Sequence, residues 1–279
     1  MKYCLPLVLL SFLFLTACNE NMPEIACLSC DNGNQVVNPE DRRVLIEEFT
    51  GVKCVNCPQA SALIDELISI HGDKVVAVSM HTGFFARPYS DSKFDFRTDD
   101  GTQVLNFLKP PVGYPSAVFN RNQFDQEEDL QIEQIAKWSG LVQAELDKPS
   151  QFNMSMENQF DGTNRTLRSS VSLTPTEEFD EDLYITVMVS ESGIQDRQLT
   201  PSGIQEDYTH RHVFRGMATN FSGELITQPI EKGTTINLNF TMVFDEGWNA
   251  NNCEVIAFVH RNNGDDKLVM QATNAKIPE

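Results

Sequence analysis

Positive charge is scarce in this chain of 279 residues: 21 lysines and arginines face 40 aspartates and glutamates, a formal net charge of −19. A surface of that sign repels phosphate backbones and anionic headgroups, which argues against nucleic-acid partners and against electrostatic adsorption to a membrane. Long apolar runs are missing as well, since nothing after the first 17 residues is long and apolar enough to span a bilayer as a helix. No Ser-His-Asp arrangement, phosphate-cradling glycine loop or dinucleotide fingerprint occurs, so hydrolase and nucleotide-dependent chemistry have no residues to work with. Internal repeats are absent, and a hydrophobic content of 41% argues against general disorder.

What is present begins at the N-terminus. Lys2 precedes an apolar stretch over 4–15 that is too short to cross a bilayer, followed by Thr16, Ala17 and Cys18, the order of a secretory signal. Leu15-Thr16-Ala17-Cys18 resembles the lipobox of bacterial lipoproteins, which implies cleavage after residue 17 and lipid attachment, palmitate included, at Cys18; an ordinary signal cut nearby is the alternative. Two or three acyl chains would anchor the chain firmly outside the cytoplasm. Removal of 1–17 leaves 20 basic and 40 acidic residues, a net charge of −20. Residues 18–40 are rich in Asn, Asp, Glu, Pro and Gly without apolar periodicity and read as a flexible tether.

From Asp41 the pattern becomes globular. Residues 44–49 predict a strand, 58–71 a helix with Ala60, Leu63, Ile64, Leu67 and Ile68 on one face, and 74–80 a strand buried on both faces. Strand, helix, strand implies a parallel pair with a crossover. Residues 82–109 are polar and aromatic and read as an insertion holding a short helix near 103–108, placed to act as a specificity lid. A strand at 116–119 and a helix at 130–146 follow, ended by Pro149. Beyond Ser150 come roughly seven short alternating runs separated by turn residues, which predict a β-sandwich of immunoglobulin-like size over 150–279.

The chemistry concentrates at Cys54 and Cys57, where the first strand gives way to the helix that Pro58 opens. A dithiol there meets unpaired backbone N–H groups and the positive end of the helix dipole, which stabilise a thiolate. Cys54, with Lys53 beside it, is the expected nucleophile, and Cys57, one turn further in, the more buried resolving thiol. Strand alternation puts Glu47 and Glu48 on opposite faces. One of them therefore points toward the helix, where a carboxylate is costly unless it has work, unless both are solvated at a strand end. Glu48 is the expected proton acceptor for Cys57, acting through water. His81 ends the second strand at the edge that carries the dithiol and is a supporting candidate.

Strand, Cys54-x2-Cys57, helix, strand, then Gly113-Tyr114-Pro115-Ser116 resembles the thioredoxin fold. The resemblance implies a cis peptide at Pro115, substrate docking on the backbone of Tyr114, and the buried carboxylate at Glu48. Lys53 stands where a tryptophan is usual, and Val55-Asn56 replaces Gly-Pro, which leaves the direction of electron flow open. With the lipobox, His210-Arg211-His212-Val213-Phe214-Arg215 and the closing run 255–260, the whole chain resembles the Omp28-related outer-membrane lipoproteins. That likeness implies an α/β thioredoxin-like domain over 41–149 followed by the β-sandwich. Expected partners are protein or peptide thiols and disulfides, without a cofactor. A thiol–disulfide oxidoreductase is the leading function and a non-catalytic binding or structural lipoprotein the rival.

Three further groups compete for attention. Cys27 and Cys30 precede Cys54 and Cys57 with 23 residues between Cys30 and Cys54, near zinc-ribbon spacing, but the second pair is accounted for by its strand-to-helix junction and the first lies in the tether, so no metal is expected. They are then a local disulfide or an auxiliary dithiol that exchanges with the main pair. Cys253 reads as a buried core thiol, and His210, His212 and His260 as inert strand residues.

Overall fold

The structure is a computed structural model that describes residues 41–278. The signal segment, Cys18, the tether and the Cys27/Cys30 pair lie outside the described residues. Strand β1 (Val44–Thr50) leads into α1 (Cys57–His71), β2 (Val75–His81), α2 (Asp99–Phe107), β3 (Ser116–Phe119) and α3 (Ile135–Leu146). Then follow β4 (Phe152–Asp161), β5 (Thr166–Pro175), β6 (Tyr184–Glu191), β7 (Ile194–Thr200), β8 (Gly203–His210), β9 (Val213–Met217), β10 (Glu224–Leu225), β11 (Ile236–Val243), β12 (Cys253–His260) and β13 (Val269–Lys276). Among the described residues no helix is long and apolar enough to cross a membrane.

Local sequence explains the helices. Pro58 sits in the first turn of α1, where its missing N–H costs nothing, and Ala60, Ile64 and Leu67 form the buried stripe. Helix α2 starts at Asp99 rather than near 103, because the Thr98 hydroxyl accepts from Gly101 N–H at 2.9 Å and two aspartates fill the first turn. Helix α3 starts at Ile135 rather than 130. Ile132 instead pairs as a bridge with Ala117, and its carbonyl accepts the Trp138 indole N–H at 3.0 Å.

The expected α/β thioredoxin-like domain followed by a separate all-β immunoglobulin-like sandwich is not what the chain builds. One mixed sheet runs β13-β12-β6-β9-β2-β1-β3, with β10 added to β6, so strands from both halves share it. The junction is narrow: β2 meets β9 in parallel through Ser79 and Val213, and Ser79 N–H donates to the His212 carbonyl at 2.7 Å. A second sheet, β11-β5-β4, covers one face of β6 and β12, and β7 with β8 forms a two-stranded hairpin of its own. Period-two alternation marks strands but not their partners, and here the partners cross the expected boundary.

Each face of the large sheet has its own core. Leu45 and Phe49 of β1, Val76, Val78 and Met80 of β2, Ile256 and Phe258 of β12 and Val104 and Leu105 of α2 pack together on one side. On the other, Val44, Ile46, Val75 and Ala77 meet α1 and α3 through Ile64, Trp138 and Val142. A buried polar network ties the start of β1 to the last strand: Arg42 reaches Glu145 at 3.1 Å and the Val269 carbonyl at 3.0 Å, and Arg43 N–H donates to Gln271 at 2.9 Å.

Candidate functional site

Strand β1 places Glu47 and Glu48 on opposite faces, and both are buried. Neither is solvated at a strand end. Glu47 faces the α2 side and is held by Arg121; Glu48 faces α1, where its carboxylate accepts from the Ser79 hydroxyl at 2.5 Å and the Ser61 hydroxyl at 3.3 Å. Removal from water dominates its environment and pushes the Glu48 carboxyl up to about 7, against the opposing pull of the two hydroxyls.

Past the end of β1 the chain turns through Gly51 into the cysteines. Cys54 N–H donates to the Gly51 carbonyl at 3.0 Å, Cys57 opens α1, and the two form a disulfide with Cα atoms 5.4 Å apart. Both are buried, Cys54 at 3% exposure and Cys57 at 1%, so Cys54 is not the open member that its position before the helix predicts. Two segments close over it. On one side the turn at Phe84–Ala86 lies against Gly51 so tightly that an added Cβ would come within 2.4 Å of the Phe85 carbonyl carbon, and Lys53 N–H donates to that carbonyl at 2.8 Å. On the other, the β7–β8 hairpin lays Gln198 across the loop. Its amide nitrogen donates to the carbonyls of Cys54 (3.1 Å) and Gly51 (3.3 Å), and Leu199 N–H donates to the Val52 carbonyl at 2.8 Å.

The remaining predicted residues fall around this centre. The Tyr114–Pro115 bond is cis, and because Ser116 pairs with Phe49 the buried proline abuts the end of β1 that continues into Gly51 and Cys54. Tyr114 shares a 2.9 Å hydrogen bond between its hydroxyl and that of Thr82, and burial raises its phenol above the ordinary range. Lys53 holds its ammonium 4.8 Å from the centroid of the Tyr89 ring. His81 lies opposite Thr50 in the register of β1 and β2.

Behind the disulfide is a small chamber of about 20 Å³, room for one water, lined by Cys57, Ser61, Ser79, His81, Tyr208 and His210 among others. It adjoins the two hydroxyls that hold Glu48. His81 Nδ1 and His210 Nε2 are buried there without hydrogen-bond partners. Burial holds both imidazoles neutral, pushing His210 down to about 4 and His81 well below the usual range. Among the described residues no three His, Cys, Asp or Glu side chains gather as metal ligands. A broader groove of about 580 Å³ beside α1 and β12 carries mixed charge, and Cys253 at its floor is inert, its thiol pushed up to about 12 by burial.

A pH prediction follows for the histidines. A base whose folded-state affinity for protons is depressed gives stability that is full above its unfolded value near 6.5 and is lost as pH falls toward the folded one. His210 accounts for roughly 3 kcal/mol of loss between pH 6.5 and 4. Urea midpoints across that window should fall less steeply for His210→Gln than for the parent; parallel curves would mean that the imidazole is not held neutral.

Ser61, Ser79, Gln198 and Tyr208 join the site without being singled out beforehand, and His210, read from the sequence as an inert strand residue, lines the chamber. Ser79 does carry a signal, a hydroxyl interrupting the apolar run Val75 to Met80, and Ser61 follows Cys57 by one helical turn. Gln198 carries none, because β7 turns its polar residues Asp196 and Gln198 inward.

The family model for outer membrane protein Omp28 matches residues 111–279. The chain belongs to the Omp28 family. Its place is therefore the outer membrane of the cell envelope. The Omp28 match takes in Tyr114, Pro115 and the β7–β8 hairpin, while Cys54 and Cys57 precede it. Among solved structures, HBP35 of Porphyromonas gingivalis is similar at 17% identity and TM-score 0.68, over 85% of this chain and 76% of that one. A protein of Agrobacterium tumefaciens is similar at 14% identity and TM-score 0.54, over 86% of this chain and 96% of that one. A domain of the outer membrane lipoprotein Omp28 from Porphyromonas gingivalis shares 16% identity over 46% of this chain and 88% of that one, at TM-score 0.32. No curated protein matches the chain. At these identities the two larger matches speak to fold alone.

Proposed function

We propose that this Omp28 family protein is an envelope thiol–disulfide oxidoreductase, anchored through acylated Cys18, that exchanges electrons with protein or peptide thiols at Cys54 and Cys57. The observation that carries the reading is Glu48: a buried carboxyl titrating near neutrality, hydrogen-bonded to two hydroxyls that line the chamber containing Cys57. In reduction, a partner thiolate attacks the Cys54 sulfur, the Cys54–Cys57 bond breaks, and Cys57 leaves as a thiolate that takes a proton from the Glu48 side of the chamber. A second partner thiolate then attacks the mixed disulfide, releasing Cys54 and leaving the partner oxidised by two electrons. In reverse, Cys54 attacks a partner disulfide and Cys57 resolves it, with Glu48 receiving the proton. The backbone beside cis-Pro115 and Tyr114 docks the partner chain.

The test is the redox equilibrium of Cys54–Cys57 with glutathione. A potential above about −300 mV is expected of an exchanging pair, and a lower one is characteristic of a structural disulfide. A low value, together with a Cys57→Ser protein that traps no mixed-disulfide partner in cells, overturns the reading. The second reading, a binding lipoprotein stapled by a permanent disulfide, is favoured by one observation, the burial of both sulfurs.

A further inference from the structure

The β7–β8 hairpin stands apart from the rest of the fold. It pairs with no strand but its own partner, and a residue in the left-handed region lies near each end, Gly193 at φ 82° and His212 at φ 54°. Ile194 is its single buried aliphatic side chain, packed with Val52, Phe96 and Val213. Along β8, residues from Gly203 to Asp207 are exposed. Beyond Ile194 and the His210 ring, which packs on Phe96 and His81, what holds the hairpin down is polar: Gln198 and Leu199 on the 51–54 loop, Asp196 accepting from Phe94 N–H at 2.8 Å, and an Arg197–Asp91 ion pair. Segments held by few buried aliphatic contacts open well below the cost of global unfolding.

We propose that this hairpin is a strap over the redox centre, with Gln198 as the positioning residue that keeps it shut, so that a partner thiolate reaches Cys54 only when the strap lifts. The inference rests on the oxidoreductase reading and names its regulation. In the closed state the backbone of Leu199 occupies the Val52 carbonyl, a strand-like contact that an incoming extended chain must displace. The same movement withdraws Tyr208 and His210 from the chamber behind Cys57. Exchange is therefore gated by an intramolecular competitor for the docking edge, and partners able to pair with the freed 51–54 backbone are favoured over small thiols.

The experiment follows reduction of the Cys54–Cys57 pair in the full mature chain by dithiothreitol, quenched by alkylation and read by mass spectrometry on the peptide holding both cysteines. Gln198→Ala removes the two hydrogen bonds that the amide donates to the 51–54 loop and should speed reduction roughly ten- to a hundredfold, while the midpoint in a glutathione buffer stays within about twofold, because access changes and the sulfur chemistry does not. Gln198→Glu, of the same size but without the donating amide, should be as fast. In the unmodified protein, low urea should accelerate reduction and hydrogen exchange at the Leu199 amide in parallel. Reduction that ignores urea while Leu199 exchange rises, or Gln198 variants that open faster by exchange yet reduce at the parent rate, would sink the strap. A low potential with the strap behaviour intact would sink only the oxidoreductase reading.

Discussion

Replacing Arg121 by methionine should cost about 3–5 kcal/mol of stability, the usual price of leaving one partner of a buried ion pair alone. Arg121 and Glu47 are both fully buried, joined by two hydrogen bonds at 2.7 and 2.8 Å. The guanidinium also lies 4.8 Å from the Phe258 ring centroid and 5.6 Å from that of Phe107, so it links β1, β12 and the end of α2. Methionine keeps much of the volume and removes the charge, stranding a carboxylate in the core that Leu45 and Phe49 build. The double replacement Glu47→Leu with Arg121→Met removes both charges and should regain most of the loss. Urea unfolding of the two singles and the double gives the cycle. A single variant within about 1 kcal/mol of the parent would show that the pair is not holding the sheet together.

Glu48→Gln should produce two effects with a common cause. A carboxyl whose folded-state proton affinity is raised contributes stability that is present below its unfolded value near 4.5 and is lost as pH rises through about 7. The amide has no charge to bury, so the variant should gain up to roughly 3 kcal/mol over the parent at pH 8 and little at pH 4, read from urea midpoints. Its chemistry should suffer in the opposite sense. Without a titrating group beside the chamber, reduction measured in a Gln198→Ala background should slow at least a hundredfold near pH 6 and lose its inflection near pH 7. Stability and rate that both stay unchanged would mean that Glu48 is solvated or has no role in the proton transfer.

The first third of the globular region is legible because its signals are local. The apolar run of β1, the stripe Ala60, Ile64 and Leu67, and the placement of two cysteines before Pro58 each dictate their own element. Glu48 stood out because a charged residue in an apolar strand needs a partner, and Ser61 and Ser79 supply it. What stayed hidden is non-local. The sheet continues from β2 to β9 through a single residue pair separated by more than half the globular chain, and no periodicity encodes that choice. The hairpin was missed for another reason: its inward residues Asp196 and Gln198 are polar, since they serve backbone carbonyls and N–H groups instead of a hydrophobic core, so the segment reads as a loop. The α2 start at Asp99 shows a capping threonine overriding an apolar pattern that begins later.

Strand β1 spans seven residues, about 23 Å at 3.3 Å each. Its beginning is clamped by Arg42 and Arg43 to β13, and its far end runs on to the disulfide. Asp41 thus lies at the pole opposite the sulfurs. The sulfurs therefore lie a full strand length from Asp41, and exposed Phe84 and Val55 flank them there, the first side chains that an arriving protein chain meets.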